Sequence, residues 1–135
     1  MKAIDTNVLV RFLVNDDEQQ AELVYERFRA AEAAREVLFI PLLVVLETIW
    51  VLESAYEATR KEIVGSFSDL MQMPIIEFEA LAAVQGMVTS AHLSSIDLTD
   101  ILIGQSARIS GCDSVLTFDK KASRIDLFEL LKQEF

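Results

Sequence analysis

The sequence predicts an α/β fold built from βαβ units around a parallel sheet. Apolar runs of strand length alternate with longer segments of helical period. Only 4 Gly and 2 Pro occur in 135 residues, so the connections are short. Hydrophobic residues make up 52% of the chain, which excludes disorder. The length predicts a single domain, residues 1–135, able to bury about two-thirds of its surface.

Lys2–Ile4 reads as a first short strand. Val8, Leu9, Phe12 and Leu13 then recur at helical spacing. Asp16 with Gln19 makes a capping-box-like start for a second helix, whose inner stripe is Val24, Phe28 and Ala31. Val37–Ile40 is the second strand. Pro41 suits the first helical position of a strongly apolar helix from Leu42 to about Tyr56. Thr59 and Glu62 form a capping box opening a helix to about Gln72. Pro74–Phe78 is a third strand, followed by a helix from about Glu79 to Ser90. Asp97 caps the next helix, Leu98 to Ser110, with Gly111 at its C′ position. Ser114–Phe118 is a fourth strand, and Phe128–Leu131 a short fifth strand at an edge.

Twelve basic against 22 acidic residues give a net charge of −10, which argues against a duplex-DNA binder of the usual basic type. One Cys excludes an internal disulfide and a thiolate zinc cluster, and one His leaves little room for a histidine triad. Chemistry, if present, therefore falls to carboxylates. Met1–Val10 carries Asp5 and Asn7 and does not read as a signal peptide, so a cytoplasmic protein is expected. The most membrane-like stretch, Val37–Leu52, is broken by Pro41 and Glu47 and is shorter than the ~20 residues a span needs.

Most acidic residues have an ordinary reading. Glu18, Glu22, Glu26, Glu32 and Glu36 lie on one polar-faced helix, and Glu57, Glu62 and Glu79 likewise read as solvated charge. Four others stand out. Asp5 and Asp119 follow the first and fourth strands, where parallel sheets place their ligands. A helix cap for Asp5 and a turn for Asp119 are the simpler readings. Glu47 has Leu43, Val44, Trp50 and Val51 as helical neighbours. Burying it unpaired would cost several kcal/mol, a cost removed by a cation or by a basic partner such as Arg11 or Arg108. Asp100 sits one turn into an apolar helix, where it also complements the helix N-terminus. Four carboxylates from four elements, with almost no His or Cys, match a hard-cation site of the Mg²⁺ or Mn²⁺ kind, suited to phosphoryl chemistry.

These residues also resemble a known family. Ala3–Val14, "AIDTNVLVRFLV", resembles the first strand and helix of PIN-domain ribonucleases, especially the VapC-type toxins of toxin–antitoxin pairs. Glu47 lies in an apolar helix after the second strand, as that family's glutamate does. Asp97–Gly111, "DLTDILIGQSARISG", resembles its Asp-x-Leu-Ile helix and puts Asp100 on the third acidic position. Val115–Lys121, "VLTFDKK", resembles its last motif, with Asp119 on the fourth position and Thr117 as the accompanying hydroxyl. The resemblance implies a PIN-like three-layer α/β/α fold with a central parallel sheet of four or five strands, in the order 3-2-1-4-5. It implies cleavage of RNA dependent on Mg²⁺ or Mn²⁺, with Asp5, Glu47, Asp100 and Asp119 as the catalytic set and Asp5, Asp100 and Asp119 as the metal residues. It further implies a cognate antitoxin and a homodimer, with no membrane partner. Gly104 stands where alanine is more usual in that helix, at about 1 kcal/mol if exposed.

Near this pocket Arg11, Lys120 and Lys121 are the expected phosphate contacts. His92 reads as incidental, Cys112 as a small core residue, and Trp50 and the Phe residues as core or dimer interface rather than as RNA-stacking rings, since they do not alternate with basic residues. Two other readings are a receiver-like domain, which would need an aspartate ending a middle strand, and a catalytically silent metal-binding interaction domain. The second and third strands end in Phe39-Ile40-Pro41 and Ile76-Glu77-Phe78, and neither supplies that aspartate.

Overall fold

Parallel strands need crossover connections, and helices supply them here. The structure is a computed structural model describing residues 1–132. It divides into two compact units, Met1–Leu81 and Ala82–Phe135.

In the first unit, β1 (Lys2–Ala3) pairs with β2 (Leu38–Ile40), and β2 with β3 (Ile76–Phe78). Both pairings are parallel, with Ala3 opposite Phe39 and Ile40 opposite Phe78. The strands are linked by α1 (Thr6–Leu13) and α2 (Glu18–Ala34), then by α3 (Leu42–Ala55) and α4 (Arg60–Met71). The expected stripe of α2 is buried: Val24, Phe28 and Ala31, joined by Ala21. Phe12 packs edge-on against Tyr25, with ring centroids 5.7 Å apart, and tilted against Phe28. The capping box forms in full. The Thr59 hydroxyl accepts the Glu62 N–H, and the Glu62 carboxylate accepts the Thr59 N–H at 2.9 Å. Those bonds hold the Glu62 carboxyl below its usual range.

Two expected helix starts move by one residue. Asp17, not Asp16, caps α2, accepting the Gln20 N–H at 3.0 Å. Asp16 is drawn instead into an ion pair with Arg11 at 3.2 Å. Pro41 is the cap of α3 rather than its first helical residue, because its ψ of 151° is extended.

α3 is apolar on every side, so periodicity in the sequence does not say which side is buried. The structure buries Val45, Thr48, Ile49 and Leu52. Leu43 and Trp50 are 78% and 62% exposed, so Trp50 is not a core residue of this chain. The Thr48 hydroxyl is buried with no hydrogen-bond partner among the described residues, an uncommon arrangement.

In the second unit, α5 (Leu81–Ala91) and α6 (Leu98–Ile109) precede β4 (Val115–Thr117), which pairs in parallel with β5 (Phe128–Leu130). The Phe128–Leu131 segment is therefore a strand, as expected. The PIN-like α/β expectation is met, with five short parallel strands among the described residues, though not as one continuous sheet in the order 3-2-1-4-5. They lie in ladders of three and two, ordered β1-β2-β3 and β4-β5. Gly111 ends α6 at φ +86°, with its N–H on the Arg108 carbonyl and the Cys112 N–H on the Ala107 carbonyl. This turn leaves Cys112 exposed, correcting its reading as a core residue. No described helix is long and apolar enough to cross a membrane.

Gly104 is buried, not exposed. A Cβ there would lie 2.9 Å from the Phe128 ring and 3.1 Å from Leu127. The missing methyl is what lets α6 approach β5. Gly104→Ala should therefore destabilise the chain by about 1–2 kcal/mol despite the better helix propensity of alanine. Thermal melting should show a drop of a few degrees. An equal or higher melting temperature would mean that Phe128 yields at no cost.

Candidate active site

The expected carboxylates differ in what holds them. Asp5 follows β1 and caps α1, its Oδ1 accepting the Thr6 N–H at 2.7 Å. Its helix-cap reading is thus met, and its carboxylate is exposed on a fixed backbone. Glu47 lies on α3 in the same unit. It is exposed, with Leu43 and Trp50, rather than buried among apolar neighbours. The argument that it needs a cation to offset burial therefore fails. Arg11 does not pair with it. The Arg11 guanidinium donates to Gln20 at 2.7 Å, to Asp16 at 3.2 Å and to the Tyr56 hydroxyl at 3.0 Å. Tyr56 in turn donates to Asp16.

In the second unit, Asp119 follows β4. Its own N–H donates to the Thr117 hydroxyl at 3.0 Å. Its Oδ1 accepts the N–H groups of Lys121 and Ala122, at 2.8 and 3.2 Å. These bonds close a short 3₁₀ turn, Ala122–Arg124, so the turn reading of Asp119 is met as well. The turn leaves the lysine side chains exposed.

Asp100 is different. It is half-buried in the first turn of α6. Its carboxyl is pushed above the usual carboxylate range, first by burial, then by the like charges of Asp97 and Asp119. Asp97 stands at the N-cap of α6 but makes no side-chain cap bond, contrary to the expectation for it. The second unit thus brings together Asp97, Asp100 and Asp119 electrostatically. Among the described residues, no three His, Cys, Asp or Glu side chains gather closely enough to be counted as a metal-holding group. His92 is exposed.

One carboxylate escapes sequence reasoning. Glu79, read as surface charge, accepts the Leu42 N–H at 3.1 Å and so fixes the start of α3. The available signal was its position just after a strand, shared with Asp5 and Asp119.

Comparison with known proteins supplies the wider setting. The PIN domain family matches residues 2–127. A curated relative, the VapC ribonuclease of Aquifex aeolicus (strain VF5), is 23% identical over 125 residues. The match covers 93% of this chain and 92% of that protein.

The Asp100 shift carries a pH prediction. Its folded pKa lies above the unfolded value, so folding disfavours the ionised form. The associated stability is full below the unfolded pKa and lost as pH rises through the folded one. Without divalent cations, Asp100→Asn should melt higher than the wild type near neutral pH. The gap should close below about pH 3.5, where both forms are neutral. A lower melting temperature at neutral pH would show instead that the charged carboxylate stabilises the fold.

Proposed function

The chain belongs to the PIN domain family, and from that premise we propose that it is a divalent-metal-dependent ribonuclease, the toxin of a toxin–antitoxin pair. The chain is read as a single PIN-like domain, residues 1–135, a reading supported by the family match over residues 2–127. The observation that carries this reading is the accumulation of like charge around a half-buried Asp100 in a chain matched to the family almost end to end. The ribonuclease relative supports it.

The residues present fit a hard divalent cation. The donors are carboxylates, and charge repelling charge at Asp97, Asp100 and Asp119 is relieved by Mg²⁺ or Mn²⁺. Asp5, Asp100 and Asp119 would hold it, with Glu47 completing the acidic set. When bound, such an ion activates water and neutralises charge developing on a phosphoryl oxygen. The chain's own part is orientation. Backbone N–H groups tether one oxygen of Asp5 and one of Asp119, leaving these side chains little freedom to lose on binding. Lys120 and Lys121, exposed beside Asp119, meet RNA phosphates. Arg11, also expected there, has its Nε and Nη1 committed to Gln20, Asp16 and Tyr56, so its share of phosphate contact is the smaller.

A cognate antitoxin and a second copy of the chain are the proposed protein partners, and the cytoplasm the proposed location. The exposed α3 stripe of Leu43, Glu47 and Trp50 offers apolar surface and a carboxylate to an amphipathic partner helix bearing Arg or Lys.

Purified protein should cleave single-stranded RNA with Mg²⁺ or Mn²⁺ and stop on adding EDTA. Asp5→Asn should reduce the rate by roughly a hundredfold or more while the melting temperature changes little. Full activity in EDTA, or unimpaired cleavage by Asp5→Asn, would refute the mechanism.

A further inference from the structure

Phe118 is 81% exposed, while Phe28, Phe67, Phe78 and Phe128 are buried. An aromatic side chain left in water forgoes burial worth roughly 25 cal/mol per Å², but a single exposed ring is ordinary on its own, and what distinguishes this one is its setting. Its sequence position is specific. It lies between Thr117 and Asp119, and Lys120 and Lys121 follow, both exposed. Neither lysine makes an ion pair among the described residues. The other well-exposed aromatic among the described residues, Trp50, is one turn from Glu47 and has no basic residue beside it in α3.

We propose that Phe118 is a stacking platform for an unpaired RNA base next to the bond being cut. The inference rests on the ribonuclease reading above. Proteins that hold single strands combine aromatic faces for bases with positive charge for the backbone, and this turn has both within four residues. The ring is carried on a fixed backbone. The Asp119 N–H bonds Thr117, and the Asp119 carboxylate takes the N–H groups of Lys121 and Ala122. Little order remains to be lost when a base arrives. The net charge of −10 makes the contribution necessary, because the chain as a whole repels a polyanion. Two lysines alone give a weak, salt-sensitive grip, whereas stacking is nearly insensitive to net charge. The same ring also sets a preference: a base on the strand, rather than a bare sugar–phosphate chain, is what it recognises.

The test compares a ten-nucleotide oligouridine with a sugar–phosphate chain of the same length lacking bases, both bound to the intact chain in EDTA. Wild type should prefer the base-bearing strand. Phe118→Ala should weaken binding to it by about 5- to 150-fold and leave the abasic strand unaffected. Phe118→Tyr should restore the preference, which a mere loss of folding would not allow. If the alanine variant keeps the wild-type preference, the platform is refuted and the ribonuclease reading stands. Wild type that neither binds nor cleaves any RNA refutes both. A wild-type dimer that Phe118→Ala turns into monomers, with base preference intact, assigns the ring to a contact between copies and also refutes the platform.

Discussion

Repulsion among carboxylates is the constraint on which the account of this molecule turns. Asp100 is half-buried, and its charge is opposed by solvent loss, by Asp97 and by Asp119. A stable fold has little reason to gather such charge, since replacement by an apolar or amide side chain would remove the penalty. Asp97 adds to it without returning a cap bond to the helix it starts. The proposed divalent cation would supply the opposing charge.

The tethering of the other acids follows from where the strands end. A parallel strand passes at its carboxyl end into a helix or turn with unsatisfied N–H groups. Asp5 and Asp119 stand at such ends, and each satisfies one or more of those donors. The same local chemistry puts Glu79 on the first N–H of α3. Strand-end carboxylates thus serve the fold with one oxygen each, and a cap or turn role does not by itself exclude the proposed site role.

What the sequence made legible was what local spacing determines. Thr59 and Glu62 are three residues apart and satisfy each other, so the start of α4 was readable. Gly111 could be read as a helix end for the same reason. Misreadings arose where partners are distant in sequence. Asp16 is lost as a cap because Arg11 and Tyr56, the latter 40 residues away, engage it. Spacing alone does not show that Glu47 faces outward, because α3 is apolar all round and only packing selects Val45, Ile49 and Leu52 as its inner side. Gly104 looked like a weak helix residue until Phe128, 24 positions on, proved to fill the space of a side chain.

The central proposal is that a divalent ion is held through the half-buried Asp100 and its neighbour Asp119 in the second unit. Electron paramagnetic resonance of Mn²⁺ titrated into the intact protein, without RNA, tests it without relying on activity. Wild type should bind Mn²⁺, and Asp100→Asn and Asp119→Asn should each weaken that binding at least tenfold, about 1.4 kcal/mol or more. Wild-type Mn²⁺ affinity in Asp100→Asn would contradict the account, because the ion would then owe nothing to the half-buried carboxylate around which the like charges gather.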